Sequence, residues 1–119
     1  MSGRLTTHVL DLSIGKPAAD VSVKLLRQNS DGSYDFVAEA RTNEDGRLDR
    51  PLLEGDLMNP GVYMLEFEAG AYFEHRNPVN LVPVVFELIP IRFRIFERSN
   101  HYHVPLLLAP GGYSTYRGS

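Results

Sequence analysis

Val21-Ser22-Val23-Lys24-Leu25-Leu26, then Asn29-Ser30-Asp31-Gly32-Ser33, then Tyr34 to Thr42 form the stretch whose reading decides the fold. The first run alternates apolar and polar residues, as a strand with one face on a core does. Asp31-Gly32 is a hairpin signal, because glycine supplies the positive φ that tight turns between strands require. Two antiparallel strands joined through this turn are therefore predicted.

Outward from that hairpin the same pattern recurs. Thr6 to Asp11 reads as a first strand, and Gly15-Lys16-Pro17-Ala18-Ala19 as the loop that returns the chain. Asn43-Glu44-Asp45-Gly46 is a second turn, with Arg47 just after it. Asn59-Pro60-Gly61 introduces the alternating run Val62 to Glu68. One short helix is predicted, over Gly70 to Arg76. Beyond it Pro78, Pro83 and Pro90 break the chain, leaving Val84-Val85-Phe86 and Ile91 to Ile95 as strands. In the second of these Ile91, Phe93 and Ile95 take a core face and Arg92 and Arg94 a solvent face. His101-Tyr102-His103-Val104 and Pro105-Leu106-Leu107-Leu108 follow, then a turn at Ala109-Pro110-Gly111-Gly112. Seven or eight short strands at this spacing predict an all-β, two-sheet sandwich.

A chain of 119 residues suits one domain spanning 1–119 around a single core. No apolar run approaches the ~20 residues that cross a bilayer. No signal-peptide-length apolar stretch precedes Asp11, so a cytoplasmic location is the default expectation. The absence of cysteine excludes disulfides, thiolate metal sites and a Cys nucleophile. Net charge is -3, and the basic residues are scattered, so a concentrated nucleic-acid-binding face is not expected.

Chemistry must then come from His, Ser, Tyr, Asp and Glu, with Arg to bind and stabilise charge. His101 and His103 are two apart and share one face of a strand. With His8 they could form a three-histidine zinc set, although a same-face His pair is common without metal and nothing else in the sequence supports one. Alternation puts His8 beside Thr6 and Leu10. It reads either as a half-covered strand residue or as a general base or orienting group, since imidazole titrates near neutrality. Arg47 sits where turns deliver functional groups, but alone it reads as a solvated arginine. Tyr116-Arg117-Gly118-Ser119 places a planar donor fork beside a polar aromatic, a set suited to a flat polar ligand. No phosphate loop, zinc helix or nucleophile elbow is present.

Taken together, Leu5 to Asp11, Gly15 to Ala18, Thr42 to Arg47, His101 to Leu108 and Tyr113 to Ser119 resemble the 5-hydroxyisourate hydrolases, the transthyretin-related family of urate breakdown. The resemblance runs over nearly the whole chain; its specific parts are the His103 segment and the terminal Tyr-Arg-Gly-Ser. It implies a prealbumin-like sandwich assembling as a homotetramer, a dimer of dimers with sites at the dimer–dimer interface. It also separates two branches. The hormone-carrier branch has lysine at the position of His8 and glutamate at that of Arg47, and lacks the Tyr-Arg-Gly-Ser ending.

By position, the resemblance implies catalytic roles for His8, Arg47, His103 and Tyr116. It implies substrate contacts from His8, Arg47, Tyr116, Arg117, Gly118 and Ser119. The implied reaction opens the six-membered ring of 5-hydroxyisourate with water to give 2-oxo-4-hydroxy-4-carboxy-5-ureidoimidazoline, with no metal, cofactor or covalent intermediate. A non-catalytic carrier or binding module of the same fold is the alternative. The chain departs from the family between Tyr72-Phe73 and His101, where Val79-Asn80-Leu81-Val82-Pro83 stands in place of an aromatic-Phe-Pro element.

Overall fold

In the computed structural model, which describes residues 3–76 and 83–118, the predicted hairpin is the centre of one sheet. β4 (Ser22–Gln28) and β5 (Tyr34–Arg41) pair antiparallel, with a bulge between Leu25 and Leu26. At the turn Asn29 N donates to Ser33 O at 2.7 Å, and Gly32 takes φ +89°. β7 (Gly61–Glu68) flanks β4 on its other side, and β8 (Leu88–Ile95) closes the edge, giving the order β5-β4-β7-β8.

The break predicted at Pro90 does not occur. β8 runs through it, with Pro90 opposite Glu66. An edge strand has one side without ladder bonds, so a residue lacking an N–H is tolerated there. Val84-Val85-Phe86, in contrast, forms no strand. It lies along a turn of the other sheet, where Val85 N donates to Pro110 O at 2.9 Å and the Phe86 ring meets Tyr113 edge-on. The departure at Val79 to Val82 falls outside the described residues.

The second layer is built on the N-terminal segment. β1 (Arg4–Thr6) lies between β6 (Leu53–Glu54) and β9 (Tyr102–His103); β2 (Val9–Asp11) lies between β3 (Lys16–Pro17) and β10 (Leu106–Ala109); β11 (Gly112–Thr115) pairs with β10. β1–β9 and β2–β10 are parallel, and Leu5 opposite Tyr102 keeps the same offset as Val9 opposite Leu106. The predicted strand from Thr6 to Asp11 is thus two segments in one register. In that offset Thr7 and His8, at the break, stand opposite Val104 and Pro105. His8 pairs instead with Arg47. Backbone bonds bridge the gap, from Val104 N to Thr6 O at 3.0 Å and from Leu106 N to His8 O at 2.9 Å.

Alternation continues across the break: Leu5, Thr7, Val9 and Asp11 are buried, while Thr6, His8 and Leu10 are only half-buried on the opposite face. The inward set joins Leu106 and Leu108 with Val23, Leu25, Leu65, Phe67 and Ile89 of the other sheet in one core cluster. Each large apolar side chain removed from water there contributes roughly 1.5–3 kcal/mol. Helix α1 (Ala69–Arg76), one residue longer than predicted, follows β7 directly and buries Tyr72 and Phe73. Beneath it Asp11, fully buried, accepts from Tyr72 Oη at 2.7 Å and from Ser13 N at 2.9 Å, and pairs with Arg76 Nε at 3.3 Å. What the sandwich leaves open is the outward face carrying Thr6, His8 and His103.

Candidate functional site

The parallel register of β1 and β9 sets Thr6 directly beside His103. Thr6 Oγ1 lies 2.8 Å from His103 Nδ1. His103 is half-buried, and that burial is the main reason its imidazole titrates below the ordinary value near 6.5; the positive charge of Arg47 adds to the effect, and His8 adds less. At neutral pH the ring is therefore uncharged and able to take up a proton.

His8 differs in chemical state. Its Nε2 is 2.8 Å from the backbone oxygen of Asp45. A carbonyl oxygen can only accept, so this nitrogen carries hydrogen and donates. Backbone bridging to Arg47 fixes the strand position of His8.

Arg47 is delivered by a closed turn. Asn43 N donates to Arg47 O at 2.7 Å, Gly46 N donates to Asn43 O at 2.9 Å, and Asn43 Oδ1 accepts from Asp45 N and Arg47 N. Gly46 has φ +76°, and a Cβ there would stand 2.3 Å from Val9 O. Only glycine meets both demands, so the Asp-Gly signal in the sequence marks the hinge that aims Arg47.

The space beside these groups is a cleft of about 470 Å³ lined by Arg4, Thr6, Thr7, Arg47, Leu48, Arg50, His101 and His103. Among the described residues, no side-chain carboxylate is in that lining. Arg4, Arg50 and Thr6 were not singled out by sequence reasoning. For Thr6 the available signal was its shared parity with His8; for Arg4 and Arg50 nothing short of the fold places them together. A larger hollow of about 780 Å³ lies between α1 and the outer side of β4 and β5. Its cations are set among Asp20, Glu39 and Glu68, and Arg41 pairs with Asp20 at 3.3 Å. Among the described residues, no group of three or more His, Asp or Glu could hold a metal ion, so His8, His101 and His103 are not gathered as ligands.

The tail reaches the cleft through Gly118. Its N–H donates to His103 O at 2.7 Å, and a Cβ on it would fall 2.6 Å from His103 Cδ2. Arg117 turns elsewhere: its guanidinium lies 4.7 Å from the Tyr102 ring centroid and donates to His101 O at 3.1 Å. Tyr116 is 57% exposed. Both line a separate, mostly apolar hollow of about 280 Å³ with Phe93, Phe96 and Tyr102. Within one chain the structure thus gathers His8, Arg47, His103 and Gly118, and sets Tyr116 and Arg117 apart. Ser119 lies outside the described residues.

A cleft that offers neutral imidazole and several guanidinium groups suits attack by water on a polarised carbonyl. A family model described as HIUase/Transthyretin matches residues 5–118. The 5-hydroxyisourate hydrolase of Halalkalibacterium halodurans is 54% identical over 119 residues, covering all of both chains. Among solved structures, (S)-allantoin synthase contains a region 40% identical to this chain, with a TM-score of 0.90. That match covers 99% of this chain, which spans only 44% of the synthase chain. Transthyretin from Sparus aurata is 28% identical with a TM-score of 0.86, covering 97% of this chain and 96% of its own.

Proposed function

We infer that this chain, which belongs to the HIUase/Transthyretin family, is an enzyme that hydrolyses the small molecule 5-hydroxyisourate in urate degradation. Identity of 54% over the full length of a 5-hydroxyisourate hydrolase carries the reaction. The setting of His103 between Thr6, Arg47 and Gly118 supports the way the chain performs it.

In the proposed mechanism a water molecule in the cleft gives a proton to an imidazole as its oxygen adds to the ring carbonyl. The resulting oxyanion is held by Arg47. The amide C–N bond then breaks, the proton passes from the imidazole to the departing nitrogen, and the ring opens to a carboxylic acid that releases its remaining proton to solvent as a carboxylate. His8, whose Nε2–H is committed to Asp45 O, helps to orient the water through the rest of its ring. No cofactor enters this scheme.

Tyr116, with Arg117, Gly118 and Ser119, is proposed to orient the substrate ring. The outward exposure of Tyr116 supports its delivery to a cleft of a neighbouring copy, in a homotetramer with sites at the dimer–dimer interface. We place the protein in the cytoplasm as one domain. No described helix is long and apolar enough to cross a membrane.

Ultraviolet absorbance of freshly generated 5-hydroxyisourate provides the test. The protein should accelerate its loss well above the spontaneous rate; no acceleration at micromolar protein would overturn the reading. The fold likeness to the Sparus aurata transthyretin supports a carrier as the second reading, and ligand binding without turnover would favour it.

A further inference from the structure

We propose that Thr6 is a positioning residue that holds His103 in the Nδ1–H tautomer, and that it thereby makes His103, not His8, the base for the hydrolysis. The proposal deepens the reading above and rests on it.

The contact of 2.8 Å between Thr6 Oγ1 and His103 Nδ1 admits two arrangements. Nδ1–H can donate to the hydroxyl, which leaves Nε2 with a bare lone pair. Alternatively the hydroxyl donates to Nδ1, which leaves hydrogen on Nε2 and no base. The surroundings choose between them. Nδ1 is held by Thr6 and Cδ2 is covered by Gly118, so Nε2 and Cε1 form the ring edge left to the cleft that His103 lines. Among the described residues that cleft is lined by Arg4, Arg47 and Arg50, which only donate, and by no side-chain carboxylate. A bare Nε2 faces these donors, whereas among the described lining residues an Nε2–H would face no side-chain carboxylate.

The backbone makes the arrangement rigid. Thr6 and His103 are register partners, Val104 N donates to Thr6 O at 3.0 Å, and Gly118 N donates to His103 O at 2.7 Å. His8 is the reverse case. Its Nε2 carries hydrogen toward Asp45 O, so its only lone pair is on Nδ1, next to its own backbone. The depressed titration of His103 agrees with a ring that stays neutral while it waits for a proton.

The test uses the full chain labelled with nitrogen-15 and the variants Thr6→Val, which keeps shape without the hydroxyl, and Thr6→Ser, which keeps the hydroxyl. Without substrate, the nitrogen shifts of His103 should report hydrogen on Nδ1 in the wild type and in Thr6→Ser, and a mixture of tautomers in Thr6→Val. With 5-hydroxyisourate, kcat of Thr6→Val should fall about 10- to 100-fold with KM little changed, since general-base help is worth ~10²- to 10⁴-fold. Thr6→Ser should retain most of the rate. Hydrogen on Nε2 of wild-type His103 would overturn the proposal without any variant being made, and so would full kcat in Thr6→Val. A wild type with no hydrolytic activity would instead sink the functional reading, while the shifts would still decide the tautomer.

Discussion

The hollow under α1 holds Lys16, Lys24, Arg41 and Arg76 among Asp20, Glu39 and Glu68, whereas the cleft beside His103 holds Arg4, Arg47 and Arg50 with no side-chain carboxylate among the described residues of its lining. The first is the larger, at about 780 Å³ against about 470 Å³. An anionic group entering it would meet carboxylates and would have to displace cations from them, as at Arg41 with Asp20 or Arg76 with Asp11. Among the described residues, no ion pair engages Arg4, Arg47 or Arg50. Stabilising a developing oxyanion depends on donors that are already in place and unopposed. Charge composition, not volume, therefore separates the two regions.

The widest gap between them should appear in turnover. His103→Ala should lower kcat/KM by ~10²- to 10⁴-fold, and Arg47→Ala by ~10²- to 10³-fold, with circular dichroism unchanged. Arg41→Ala, in the larger hollow, should leave turnover within about twofold, as surface substitutions usually do. Comparable losses on both sides would erase the distinction.

A smaller but sharper effect is expected from Gly118→Ala. The added methyl group meets the His103 ring, and if His103 acts as proposed, displacing it by about 1 Å can cost up to ~10²-fold, so a loss of about tenfold or more is expected. Retained activity would mean that the tail does not seat the ring.

The pH profile distinguishes the regions by sign. Burial and Arg47 lower the titration of His103 from its ordinary value, so kcat/KM should stay level through neutrality and fall on an acid limb whose midpoint lies below 6.5. Replacing Arg47 by glutamine removes the second cause of that shift and should raise the titration of His103, followed by NMR. Arg41→Gln should leave it where it is.

The smallest expected effect belongs to stability alone. Tyr72→Phe deprives buried Asp11 of one hydrogen bond, which should cost about 1–3 kcal/mol of unfolding free energy while kcat stays unchanged. The burial of Tyr72 and its bond to Asp11 push its own ionisation far up, so the phenol donates throughout the accessible range. A change in kcat here would tie the two regions together.

Much of this was legible in the sequence for local reasons. The Asp31-Gly32 and Asp45-Gly46 turns announce themselves because positive φ restricts the residue choice, and the alternation around Val23 and Phe67 declares which side is buried. The parity of His8 with Thr6 survived even where the strand breaks. Long-range partners left less trace. Nothing in the composition of Arg4 or Arg50 says that they share a cleft, and the pairing of Thr6 with His103 depends on parallel strands nearly a full chain length apart. Pro90 and Val84 to Phe86 misled in opposite directions. A proline is tolerated or not according to whether its strand has a neighbour on that side, and a β-branched run becomes a strand only if a partner edge is free. Tyr116 and Arg117 were grouped with Gly118 by adjacency, yet here the contacts of Gly118 and of its two neighbours fall in different hollows.

The ion pair between Arg76 and Asp11 joins the last turn of α1 to β2, the strand segment that continues from His8. Melting the helix would strand a buried carboxylate, so α1 and the site-bearing strand should open as one cooperative unit and not fray separately. Their amide protons should then exchange with solvent at a common free energy, and a helix remote from the proposed chemistry would govern how long the face carrying His8 persists between openings.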